Sequence, residues 1–158
     1  MSHIIKSLTL IILLTLGVQA SGLYVKVLSE PMEDVEDSLK ESFTQNNLKE
    51  VARINIYEKM LKSGLAKKMG NDWNKNELSG LVSYIVCNGK LGMNIANANA
   101  QYAGICPIKI TLIEDKKGTT LTYMRASNLT SDDKLKKELK VLDQTVIKAI
   151  EDLDSLSL

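Results

Sequence analysis

The sequence predicts an α+β domain: about five strands, covering helices and one long helix at the carboxy-terminal end. Three observations carry that expectation. Segments 23–28, 49–56, 82–86, 108–113 and 119–125 have strand length and either alternate or run apolar. Between them lie stretches whose apolar residues recur every three or four positions. After Thr130, Leu135, Leu139, Leu142, Val146, Ala149 and Leu153 repeat at spacings of four and three without a break.

The first twenty residues read as a secretory signal. Lys6 precedes an apolar core from Leu8 to Val18, and Val18-Gln19-Ala20 suits a cut after Ala20. The core is shorter than the roughly 20 apolar residues of a membrane span. An uncleaved amino-terminal anchor is the competing reading. No cysteine follows the cut, which argues against a lipoprotein. The expected organisation is therefore a signal peptide over 1–20 and a single domain over 21–158, periplasmic or secreted, in a bacterial style.

Removing twenty of the 158 residues leaves 138, the size of one domain. It also removes Lys6, one of 20 basic side chains, and leaves 19 against 19 acidic ones. A neutral chain lacks the excess of Lys and Arg that phosphate neutralisation needs, so nucleic acid is not an expected partner. Nor is a membrane, once the signal is gone. The only histidine, His3, leaves with the signal. Without it there is no Ser-His-Asp or Cys-His relay, no imidazole metal ligand and no haem attachment motif. Catalysis would fall to a perturbed Glu, Asp, Lys, Tyr or Cys. No cluster of these stands out, so the reading leans away from an enzyme and calls for no cofactor and no metal.

The elements follow in order. Leu23 to Leu28 sets Leu, Val and Val against Tyr, Lys and Leu, a short half-buried strand. Ser29-Glu30-Pro31 opens a helix, and its acidic start, Glu33, Asp34, Glu36 and Asp37, suits the positive end of the helix dipole and a solvated face. Met32, Val35, Leu39 and Phe43 form its apolar side, and Asn46-Asn47 stops it. A second strand covers Lys49 to Ile56, and Tyr57 to Lys62 begins a short helix that Gly64 interrupts. Residues 67–78 read as a polar loop, in which Trp73 packs the loop on the core or lids a pocket.

The run 82–86 is a third strand. Residues 90–102, rich in Asn, predict a short helix with Met93, Ala96 and Ala100 on one face and Ile95 beside it. Residues 108–113 and 119–125 form an antiparallel hairpin turned by Asp115-Lys116-Lys117-Gly118. Thr130 or Ser131 caps the last helix, with Asp132 and Asp133 in its first turn. Its repeat suits packing on a sheet or a coiled-coil seam, and the seam reading makes a homodimer possible. Asn128-Leu129-Thr130 has the form of a glycosylation acceptor and reads as a turn and cap.

The two cysteines, Cys87 and Cys106, mark the ends of one connection between strands. A parallel crossover would hold them about a strand length apart, roughly 17–20 Å, too far for a bond. Antiparallel neighbours would bring them together. Asn88-Gly89-Lys90 ends a strand and starts a helix, where free backbone N–H groups and Lys90 could hold a small anion. An Asn-capped helix start explains the same residues.

Val86-Cys87-Asn88-Gly89-Lys90-Leu91, then Gly104, Pro107 and a strand ending at Glu114, resemble the bacterial and archaeal family catalogued as domain of unknown function 302. That family's pattern is an apolar strand, a Cys-Asn-Pro or Gly-Asn-Pro turn, a short helix, and a Gly before a Leu-Pro-Cys that opens a strand. Here Gly89 stands in place of the usual Pro, and Cys106 precedes Pro107 where the family's second thiol follows its Pro. The resemblance implies a two-layer, mainly antiparallel sheet backed by helices, of the TATA-binding-protein-like type, with the cysteines close. It implies no established activity.

The reading that results is an exported, non-enzymatic module. It binds a small ligand or a periplasmic protein at the edge formed by Cys87, Asn88, Gly89, Lys90, Cys106 and Pro107. A thiol-redox or disulfide-switch protein using Cys87 and Cys106, and an assembly subunit dimerising through the last helix, are the alternatives.

Overall fold

The computed structural model describes residues 22–156, and the signal peptide expected over 1–20 lies outside them. Chain order is β1 (Leu23–Leu28), α1 (Met32–Gln45), β2 (Lys49–Asn55), α2 (Ile56–Lys62), α3 (Leu65–Met69) and β3 (Gly80–Cys87). Then come α4 (Gly89–Ala98), β4 (Ile108–Asp115), β5 (Gly118–Met124), α5 (Asp133–Glu151) and α6 (Leu153–Leu156). The five strands form one sheet in the order β1-β5-β4-β3-β2. Every neighbouring pair is antiparallel, so the α+β expectation and its antiparallel sheet are met.

Local chemistry sets the corners. In the β4–β5 hairpin Asp115 pairs with Gly118, and the Asp115 carboxylate accepts the Lys117 N–H at 2.7 Å. Gly118 has φ +124°, and a Cβ there would collide with the Leu28 carbonyl of β1. Only glycine allows both the turn and that approach.

One face of the sheet is buried. Tyr24, Val82, Tyr84, Val86, Ile110, Leu112, Leu121 and Tyr123 meet Val35, Leu39 and Phe43 of α1, and Leu135, Leu139, Leu142 and Val146 of α5, in one core. The seam of the last helix is therefore used inside the chain, and it packs on the sheet. No helix among the described residues is long and apolar enough to cross a membrane.

Several local expectations shift. Residues 65–69 form α3 where a loop was expected to begin nearby. Gly64, at φ +73°, redirects the chain, and Leu65-Ala66-Lys67-Lys68-Met69 are good helix formers. Asp132, not Thr130 or Ser131, caps α5 by accepting the Leu135 N–H at 2.7 Å. In α4 the buried residue is Ile95, whereas Met93 is 60% exposed. Leu91 and Ala98 join Ile95 against the core, and the branched Ile95 carries more apolar area than the alanines of the expected face. β1 turns Tyr24 inward and leaves Val25 and Val27 on the uncovered face.

Candidate functional site

Cys87 closes β3, and Cys106-Pro107 leads into β4. Because these strands pair antiparallel, with Val86 opposite Ile108, the ends of the connection return to one place. The Cys87 and Cys106 Cα atoms are 5.5 Å apart and the sulfurs lie at disulfide distance. Cys106 precedes β4, so its place before Pro107, where the family's second thiol follows its Pro, still leaves it beside Cys87. The bridge ties off α4 and the 3-10 turn Ala100–Ile105.

Gly92 makes room for it. A Cβ at Gly92 would lie 3.2 Å from the Cys106 Cβ and 3.4 Å from its sulfur, so α4 rests directly on the bridge. Gly89 has open space around its Cα. The Asn88 side chain caps α4, accepting the Leu91 N–H at 3.1 Å, and Lys90 is exposed.

The six predicted site residues therefore divide. Cys87, Asn88 and Cys106 build the turn, while Gly89 and Lys90 stand outside it. Pro107 alone lines a groove of about 610 Å³ on the other side of the bridge. One wall is Gly104, Ile105 and Pro107; Thr111 and Thr122 stand in the floor, and Leu23, Met124 and Leu129 close the far side. Lys109 is the single charged residue of the lining. Its side-chain ammonium has no ion-pair or hydrogen-bond partner among the described residues.

Two polar centres lie on the covered side. Asp143, 4% exposed, accepts the Tyr123 hydroxyl at 2.7 Å and the backbone N–H groups of Ala126 and Ser127 at 2.8 and 3.1 Å. Burial first, and then the bond to Asp143, push the Tyr123 hydroxyl pKa well above the ordinary tyrosine value. Glu36, 8% exposed, takes Arg53 bidentately at 2.7 and 2.8 Å and the Tyr84 hydroxyl at 2.9 Å. That bond raises the Arg53 guanidinium further, and burial raises Tyr84. Both acids stand in phase with apolar residues, Asp143 between Leu139 and Val146 and Glu36 between Met32 and Leu39. A carboxylate on the apolar stripe was the signal that would have found them. Glu36 is thus no part of a solvated helix start.

Glu36 and Arg53 edge a second groove of about 520 Å³, where Glu114 accepts the Met32 N–H at 2.8 Å and the Ser79 hydroxyl at 3.0 Å. Trp73 packs its loop against Tyr57, ring centroids 6.3 Å apart, and a hollow of about 290 Å³ remains beside them. Among the described residues no group of three His, Cys, Asp or Glu side chains could hold a metal ion.

Comparison with known proteins agrees with this architecture. A crystal structure of an uncharacterized conserved protein DUF302 from Bacillus stearothermophilus superposes with a TM-score of 0.72 at 19% identity. The match covers 84% of this chain and 98% of that one, and it shows a shared fold. No curated protein matches the sequence. The family model for domain of unknown function DUF302 matches residues 24–153, and the chain belongs to that family.

Proposed function

We propose that this protein is an exported binding module with no enzymatic role, and that its groove beside the Cys87–Cys106 turn takes a small apolar ligand bearing an anionic group. The observation that carries this reading is the groove's chemistry. Its volume falls within the roughly 300–1,000 Å³ usual for small-molecule sites. Its walls are apolar, its floor offers threonine hydroxyls, and Lys109 is a lone cation with no carboxylate beside it. Cys87, Asn88 and Cys106 serve by holding the wall that contains Ile105 and Pro107. An oxidising compartment, as export implies, would keep that bridge closed.

Decanoate and decanol, titrated against the mature protein and followed by methyl NMR, test the ligand class. Decanoate should shift the Thr111, Thr122 and Met124 methyl signals, and Lys109→Gln should weaken it while leaving decanol unchanged. If neither compound moves those methyls, the groove reading fails. Mass spectrometry of the exported chain tests compartment: a protein that begins at Ser21 agrees, and a membrane-held chain that keeps residues 1–20 does not.

The bonded and partly exposed sulfurs also suit a thiol switch. A reduction potential below about −300 mV would mark a structural bridge, and a higher one would favour the switch.

A further inference from the structure

The two edges of the sheet are built differently. At β2 the register shifts between Glu50 and Ala52, which leaves Val51 bulged, and Lys49, Glu50 and Arg53 place charges along the strand. Bulges and charges are the devices that keep an edge from pairing with another chain. β1 has neither device on its open side. It runs in unbroken register from Leu23 opposite Met124 to Leu28 opposite Thr119. Val25 and Val27 stand 45% and 68% exposed on it.

The direction of its free backbone groups follows from one bond. Arg125 donates its N–H to the Gly22 carbonyl at 2.7 Å. In an antiparallel ladder the bonded pairs alternate, so Tyr24, Lys26 and Leu28 address β5 while Leu23, Val25 and Val27 point their N–H and C=O groups outward. Those outward groups belong to three apolar residues, of which Val25 and Val27 have uncovered side chains and Leu23 a half-buried one.

We propose that β1 is a self-pairing edge and that its partner is a second copy of this chain. A two-fold axis normal to the sheet, passing beside Val25, sets Val25 opposite Val25 of the second copy and Leu23 opposite its Val27. Each of these pairs exchanges both N–H···O bonds, because all three residues present outward groups. The side chains join in one apolar row on the open face.

The charges on the other face agree with this register. Lys26 reaches Asp154 at 2.7 Å and Glu151 at 3.1 Å, and Glu151 also accepts the Tyr24 hydroxyl. Pairing about Val25 sets Lys26 of one copy opposite Tyr24 of the other, beside the carboxylate that Tyr24 holds. Cations then alternate with carboxylates across the junction and no like charges face each other. A register centred one residue later would oppose Lys26 to Lys26.

Leu23 belongs both to the interface and to the far wall of the groove, but Lys109 lies on β4, with β5 between it and β1, so Lys109→Gln should leave assembly unchanged. Sedimentation equilibrium of the mature protein should show a reversible dimer. Val25→Pro removes an outward N–H without touching the β5 ladder, a position where an edge strand tolerates proline. It should weaken dimerisation at least about tenfold, about 1.4 kcal/mol, with the circular dichroism spectrum unchanged. If Val25→Pro disturbs the fold, Val25→Lys serves, since it leaves the backbone intact and puts two like charges together. Val25→Cys should cross-link two chains on oxidation. A wild-type protein still monomeric at about 1 mM, or a dimer indifferent to all three substitutions, would overturn the proposal.

Discussion

On the helix-covered face of the sheet, buried polar groups are few and their partners lie far along the chain. Asp143 answers Tyr123, Glu36 answers Arg53 and Tyr84, and the Ser42 hydroxyl donates to the Ala149 carbonyl at 2.6 Å. On the open face the polar groups are short hydroxyls that meet their cross-strand neighbours. Ser83 and Thr111 stand 3.0 Å apart on paired strands, and Thr122 lies opposite Thr111 on the next. The first arrangement locks helices to the sheet in one register. The second demands little of the surrounding fold, which leaves that face free for a groove and an exposed edge. Stability should therefore respond strongly to changes on one face and weakly on the other.

The largest effect should follow from Asp143→Ala. It leaves the Tyr123 hydroxyl and two backbone N–H groups buried without an acceptor, each a desolvation cost of about 1–3 kcal/mol. A total loss of about 3–5 kcal/mol is expected, read from the urea midpoint. A loss below about 1 kcal/mol would mean that water enters and takes the place of the carboxylate. Next should come the paired change Cys87→Ser with Cys106→Ser. The bridge closes a sequence separation of 19 residues, for which the loop-entropy model gives about 3 kcal/mol. Because it borders the groove, its removal should also blur the Ile105 and Leu129 methyl signals, while those of Leu139 and Leu142 stay sharp.

On the open face, Thr111→Val should cost about 1 kcal/mol, because a single hydroxyl, that of Ser83, loses its partner. Valine keeps the β-branched shape that a strand favours. A loss near that of Asp143→Ala would erase the distinction between the faces.

The same distinction explains what could be read from the sequence. Periodicity found all five strands and the residues of the last helix that enter the core, because burial on one face writes a repeat. It could not say which side of β1 faces in: Leu23, Val25 and Val27 look like the core set, yet Tyr24, anchored through Glu151, is the buried one. The candidate site was half legible. Cys87 and Cys106 were visible as a pair, but their meeting depended on strand direction, which the family resemblance supplied and spacing did not. Gly92 and Lys109 were missed because a glycine under a bridge and a lysine in a groove have no local pattern.

The smallest effect belongs to the rim between the faces, where two adjacent acids shift in opposite directions. Asp152 is lowered from 3.8, first by the Asn46 carboxamide and then by Lys148. Glu151 is raised from 4.5 by burial, with Asp154 adding to it. A lowered carboxylate gives stability that is present above its unfolded pKa and lost as pH falls through the folded value. A raised one does the reverse: the folded state binds the proton first, so stability falls as pH rises between the unfolded and folded values. The two slopes oppose each other on the acid side. Asp152→Asn should therefore make the loss of stability on acidification shallower, and Glu151→Gln should make it steeper. Urea midpoints measured from about pH 6 down to about pH 3 should separate the two variants in those directions. Parallel curves would show that neither acid changes its proton affinity on folding, and that the rim, unlike the covered face, is electrostatically silent.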